Sequence, residues 1–167
     1  QDRSSIISIL DRKNIQIFGA TTGGEISGSD ISHEGISILL LDMDPASFQI
    51  LFDDYTGRDV AEVAEAMTNQ ALTLFSRPAF ILCNSIEKPM DIQLGEKILQ
   101  SISHVAGNDV IIWGGGAGDD LIFKDTFVFN NTNISNQGIL MLVLNEDKIV
   151  VKGMAASGMK PMGTEKV

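Results

Sequence analysis

The strongest constraint on what this chain can fold into is a pair of turns rich in glycine and acid. Gly19-Ala-Thr-Thr-Gly-Gly-Glu25 and Gly114-Gly-Gly-Ala-Gly-Asp-Asp120 each follow a short apolar run that reads as a strand. Those runs, Ile15–Phe18 and Val110–Trp113, stop where the glycines begin. Both turns are therefore expected beyond the carboxyl ends of strands, where open α/β sheets keep their ligands. Glycine lets backbone amides approach a ligand closely, and the acids that follow supply charge. A single turn of this kind most often only reverses the chain. The repetition, with Glu25, Asp119 and Asp120 in matching places, points to one shared site. Its expected members are Thr21, Thr22, Gly24, Glu25, Gly115, Gly116, Asp119 and Asp120.

The chain has 167 residues, enough for one domain with a sizeable core. Its net charge of −10, with only 12 Lys and Arg spread along it, argues against nucleic acid and against an anionic membrane surface. The apolar runs, such as Ile36–Leu41 with Ser37 inside it, are strand-sized and too short to span a bilayer, so no membrane insertion is expected. No signal peptide is visible. The single cysteine, Cys83, cannot form an internal disulfide, which is compatible with the cytoplasm.

Along the chain, Gln1–Asn14 is polar at both ends around Ile6, Ile7, Ile9 and Leu10. Candidate strands follow at Ile15–Ala20, at Ile36–Asp42 with burial on both faces, and at Phe48–Tyr55. Asp59 then caps a helix whose apolar stripe is Val60, Val63, Ala64, Met67, Ala71 and Leu74, closed by Pro78. Ala79–Asn84 reads as a buried strand. A second helix opens at Asp91, turns Leu94, Ile98, Leu99, Ile102 and Val105 inward, and stops at Gly107. After the second glycine turn come strands at Thr126–Phe129, Ile139–Leu144 and Ile149–Ala155, the last two joined by a hairpin turn at Asn145–Lys148. The expected fold class is α/β: a mixed sheet or two stacked sheets with flanking helices, a βαβαβ middle and then an antiparallel hairpin.

At the glycine turns the sequence resembles the FIST family, sensory domains named for F-box and intracellular signal transduction proteins. The family's Gly-Cys-Ser-Thr-Ala-Gly-Glu turn is matched at Gly19, Thr22, Gly24 and Glu25, and its Gly-Gly-Ser-Ala-Gly-Asp turn at Ala117, Gly118 and Asp119. Gln137–Leu144 fits the strand before the family's last hairpin, and Gly158-Met-Lys-Pro-Met-Gly163 fits its closing Gly-x-x-Pro-hydrophobic-Gly. Ala20 and Gly116 stand where the family has cysteine and serine, so a thiol and a hydroxyl are missing while the positions stay small. The resemblance covers nearly all of residues 1–167 and implies an incomplete amino-terminal module, without a preceding helix and strand and without a carboxyl-terminal companion. An unpaired sheet edge or apolar patch is then expected, open to a second copy as a homodimer.

The resemblance further implies a cytoplasmic bacterial sensory module that binds a small ligand such as an amino acid. Its partner would be a downstream signalling protein such as a kinase, cyclase or chemoreceptor module. Glycine amides can receive a carboxylate, the acids can pair with an ammonium group, and Thr21 and Thr22 offer hydroxyls.

Other chemistries have weaker support. The pattern lacks the third glycine of a dinucleotide fingerprint and the Lys-Ser/Thr ending of a phosphate loop. Glu25, Asp119 and Asp120 are hard oxygen ligands that a metal-assisted hydrolase could use, although adjacent acids are more often caps or solvated loops. A haem-based gas sensor, known as a subgroup of the family, would need His33 or His104, and each reads better as a surface histidine. Cys83 sits in the apolar run Phe80–Cys83 and reads as packing rather than an activated thiolate. Met154, Met159 and Met162 read as gap-filling core. The expectation is binding without catalysis, and without a cofactor or metal.

Overall fold

The computed structural model describes residues 3–28, 30–32, 35–86, 93–120, 122 and 124–154. A helix that the sequence pattern did not announce, α1 (Arg3–Asp11), precedes a short strand β1 (Gly19–Ala20) and a small hairpin of β2 (Glu25–Ser27) and β3 (Asp30–Ser32). Then come β4 (Phe48–Asp54), α2 (Val60–Leu74), β5 (Pro78–Asn84), α3 (Gln93–Ala106) and β6 (Ile112–Gly116). The last strands are β7 (Val128–Phe129), β8 (Ile134–Ser135) and β9 (Gly138–Asn145). The domain is α/β, built on a four-stranded mixed sheet in the order β4-β9-β5-β6 with a small antiparallel sheet β1-β7-β8 beside it.

β9 is the spine of the main sheet. Its continuous apolar sequence is buried on both faces, and it pairs antiparallel with β4 on one side and β5 on the other. β5 runs parallel to β6, so the β5-α3-β6 unit places α3 against the sheet as a crossover helix does. Asp59 caps α2 by accepting from Ala61 N at 2.8 Å. Val63, Ala64, Met67 and Ala71 then meet Ile98 and Ile102 of α3 over Phe80, Leu82, Met141 and Val143. At the far end of α2 the expected stripe stops early, since Leu74 is exposed, as is Leu99 on α3. Asp91 lies outside the described residues.

Two expected strands are absent, each for an identifiable reason. Ile149–Met154 forms no ladder, because the strand it would have joined in a hairpin has both edges already taken by β4 and β5. The turn does form, with Lys148 N and Ile149 N donating to Asn145 O, but the chain beyond it crosses the face of the sheet opposite the helices. There Ile149 and Val151 pack against Ala79, Leu142 and Leu144, and Gly153 lies against the indole of Trp113. Met154 is exposed rather than core, while Ala155, Met159 and Met162 fall outside the described residues.

The second absence is Ile36–Asp42, which forms no strand and is exposed instead of buried, because no described strand pairs with it. Smaller differences concern boundaries. Ile15–Ala20 is a strand only at Gly19–Ala20, Thr126–Phe129 only at Val128–Phe129, and the sixth strand runs on through Gly114–Gly116 rather than ending before them.

Candidate functional site

The two glycine turns meet backbone to backbone. Gly118 N donates to Thr21 O at 2.8 Å, and a Cβ placed on Gly118 would stand 2.5 Å from Gly23 N and 2.8 Å from the Thr22 carbonyl carbon. This contact accounts for the glycine at 118, because any side chain would push the turns apart.

Each turn is held by its own anchors. Thr21 extends the β1–β7 pairing: its amide donates to Phe127 O, and Phe127 N donates to Thr21 Oγ1, both at 2.9 Å. Thr22 Oγ1 donates to Glu25 Oε1 at 2.7 Å, and Glu25 Oε2 accepts from Gly35 N at 3.0 Å, so this carboxylate closes the loop onto the far side of the β2–β3 hairpin. Gly24 has a φ of +142°, a conformation that glycine alone adopts comfortably.

The second turn is anchored at Ala117, whose amide donates to Asn84 O at 2.8 Å. Its methyl group packs with Val128 and Leu140, near Phe18 and Cys83. Gly114 has a φ of +140°, and a Cβ there would lie 1.8 Å from Leu82 O. Asp119 Oδ2 accepts from Lys124 N at 2.6 Å, and Ile122 N donates to Asp119 O at 3.1 Å, so Asp119 organises the loop that follows. Asp120 is exposed, adopts the left-handed region at φ +55°, and makes no side-chain hydrogen bond among the described residues.

A groove of about 200 Å³ opens beside the second turn, between α3 and the outer edge of the sheet. Gly95 and Leu99 form one wall, Leu82, Asn84 and Ile112 the floor, and Gly114, Gly115 and Gly116 the rim. Gly115 faces open space, with no atom within 4 Å of where a Cβ would be. Of the residues expected at the site, Gly115 and Gly116 line this groove. Asp119 and Asp120 follow in the same loop, while Thr21, Thr22, Gly24 and Glu25 form the adjoining turn that braces it. Asn84, Gly95 and Leu99 were not expected. Asn84 had a readable signal, a polar residue closing an apolar strand, whereas the two helical residues had none.

The remaining candidates are soon placed. Cys83 is half-buried in the cluster around Ala117, and burial raises its thiol pKa, the opposite of what a nucleophile needs. His104 is largely exposed on the last turn of α3, with Nδ1 3.4 Å from Glu65 Oε1. His33 lies outside the described residues. Among the described residues no three His, Cys, Asp or Glu side chains stand together as a metal would require, and no helix is long and apolar enough to cross a membrane.

Fold and site together define an α/β domain in which one glycine turn, braced by a second, borders a small groove at a sheet edge. The FIST N domain model matches residues 4–167, and the chain belongs to the FIST family, whose members are sensory domains of signal-transduction proteins. No curated protein and no solved structure matches it.

Proposed function

We propose that this domain is the receiving part of a bacterial cytoplasmic signalling protein and binds an amino-acid-like ligand in the groove beside the second glycine turn. The observation that carries the reading is the glycine rim at Gly114–Gly116, where exposed backbone without side chains borders a cavity of about 200 Å³. That volume is below the roughly 300–1,000 Å³ of sites for drug-sized ligands and suits a small zwitterion. The amide of Gly116, on the outer edge of β6, would receive its carboxylate, and Asp119 and Asp120 would favour its ammonium group. Leu82, Leu99 and Ile112 would accept an apolar side chain. In this division of labour Thr21, Thr22, Gly24 and Glu25 shape the site from the neighbouring turn. A ligand held where α3 meets the sheet edge can bias an attached kinase, cyclase or chemoreceptor module if it binds two arrangements of that junction unequally.

A thermal-shift screen of the common amino acids against the protein and its Gly115→Val variant tests this. A Cβ at 115 would meet no atom within 4 Å, so the variant should fold normally while adding bulk at the rim of the groove. At a ligand concentration of about 100 Kd, stabilisation of about 2.7 kcal/mol is expected in the parent protein and is lost in the variant. Stabilisation that persists in Gly115→Val would move the ligand elsewhere, and no stabilisation by any amino acid would end the amino-acid reading.

A further inference from the structure

Asn84 is a polar residue in an apolar place. It closes β5 after Phe80–Cys83, is only 4% exposed, and lines the floor of the groove with Leu82 and Ile112. By strand alternation it shares the sheet face of Phe80 and Leu82, the face that packs against α2 and α3. Among the groove's described lining residues the other polar side chain is the indole of Trp113, and that ring lies on the opposite face, against Gly153.

The carboxamide is only half used. Nδ2 donates to Ser85 O at 3.2 Å, while Oδ1 accepts from no described residue. Packing alone would be served as well by leucine, whereas an amide oxygen this deep without a donor costs free energy until one arrives. The group is also held in place. Ser85 N donates to Gly138 O at 3.0 Å, Ser85 Oγ accepts from Gly138 N at 2.6 Å, and Ser85 O accepts from the Tyr55 hydroxyl at 3.1 Å. The carbonyl that orients the Asn84 amide is therefore fixed to β9 and to the end of β4, and an acceptor set in advance binds without a cost of ordering.

The strand register decides what the oxygen meets. Asn84 pairs with Gly116, Leu82 with Gly114 and Phe80 with Ile112. The apolar part of the floor thus runs toward Ile112, and Asn84 stands at the end where Gly116 turns its amide outward and Asp119 and Asp120 follow. Given the proposed binding of an amino-acid-like ligand in this groove, on which the assignment rests, we infer that Asn84 recognises the ligand's ammonium group. Oδ1 accepts a hydrogen bond from the ammonium while the carboxylate is held at the Gly116 amide. Asp119 already accepts from Lys124 N and Asp120 is exposed, so these acids attract positive charge and Asn84 fixes its position. The same carbon skeleton without the nitrogen leaves Oδ1 unpaired and is rejected for that reason.

Calorimetric titration with L-leucine and with isocaproate, which is leucine without its ammonium group, tests this on the parent protein and on Asn84→Leu. Ser85 O keeps the Tyr55 hydroxyl in the variant, so the domain should fold. The parent should prefer L-leucine by about tenfold or more, as expected of a hydrogen bond to a charged group. Asn84→Leu should bind L-leucine about tenfold more weakly and isocaproate within about threefold of the parent. In the parent alone, the Nδ2 proton resonances of Asn84 should shift further with L-leucine than with isocaproate, a reading that does not depend on the variant. An undiminished preference for L-leucine in Asn84→Leu, or equal shifts, would overturn the inference and leave the amino-acid reading standing. Equal weakening of both compounds would overturn it too, by making Asn84 a packing residue. No binding of either compound by the parent would overturn both the inference and the apolar subsite of the proposed function.

Discussion

Replacing Gly118 with alanine should separate the two glycine turns, and the structure indicates the cost. The new methyl would lie 2.5 Å from Gly23 N, 2.8 Å from the Thr22 carbonyl carbon and 3.2 Å from Gly23 Cα. All three are backbone atoms, so no side chain can rotate out of the way, and one turn must move. Movement breaks the 2.8 Å bond from Gly118 N to Thr21 O, worth about 0.5–1.5 kcal/mol. Forcing a methyl into filled space adds about 1–3 kcal/mol. The sum, about 1.5–4.5 kcal/mol, should lower the melting temperature of a domain this size by roughly 3–18 °C. Gly115→Ala is the matched control: its Cβ meets nothing within 4 Å, so its stability should stay within about 0.5 kcal/mol of the parent. Urea denaturation of both variants is the assay. Equal midpoints would refute the claim that the turns are packed backbone to backbone.

Three further outcomes are expected. Ser85→Ala removes the buried hydroxyl that accepts from Gly138 N at 2.6 Å, and should cost about 1–3 kcal/mol in the same denaturation assay, because that amide is left without its side-chain partner. Burial pushes the Asp54 carboxyl up, but hydrogen bonds from Ser135 and Thr56 and the charge of Arg58 outweigh it and hold the group below the ordinary carboxylate range. Its folded pKa is thus below its unfolded one, so its contribution is fully present above about pH 4 and fades as the pH falls through the folded value; Asp54→Asn should flatten the acid limb of a stability-versus-pH curve. Asp119→Ala, which loses the bond from Lys124 N, should cost about 1 kcal/mol, whereas Asp119→Asn keeps an acceptor and should melt close to the parent.

Features with a local cause were legible in the sequence. The Asp59 cap, the stripe from Val60 to Ala71 and the buried run Ile139–Leu144 depend on short-range periodicity and capping, and the structure has all three. The convergence of the two turns follows from their repeated pattern, but that Gly118 makes room for the other turn rather than for a ligand does not. What could not be read was pairing. Ile149–Met154 has a good strand sequence after a good turn, yet β9 already had a neighbour on each side, a fact set by the order of strands rather than by any residue near 149. Ile36–Leu41 has the composition of a buried strand, but composition does not supply a partner. The groove was only half visible, since Gly115 and Gly116 belong to a motif, whereas Gly95 and Leu99 reach it only because α3 packs across the sheet edge.

The groove as ligand site is tested most directly by an amide-resolved NMR titration with the most stabilising amino acid. Shifts should concentrate at Asn84, Gly115, Gly116, Asp119 and Asp120, with smaller changes at Thr21 and Thr22 across the turn contact, and should vanish in Gly115→Val. Shifts centred instead on the outer faces of α2 and α3, around Glu65 and His104, would contradict the assignment.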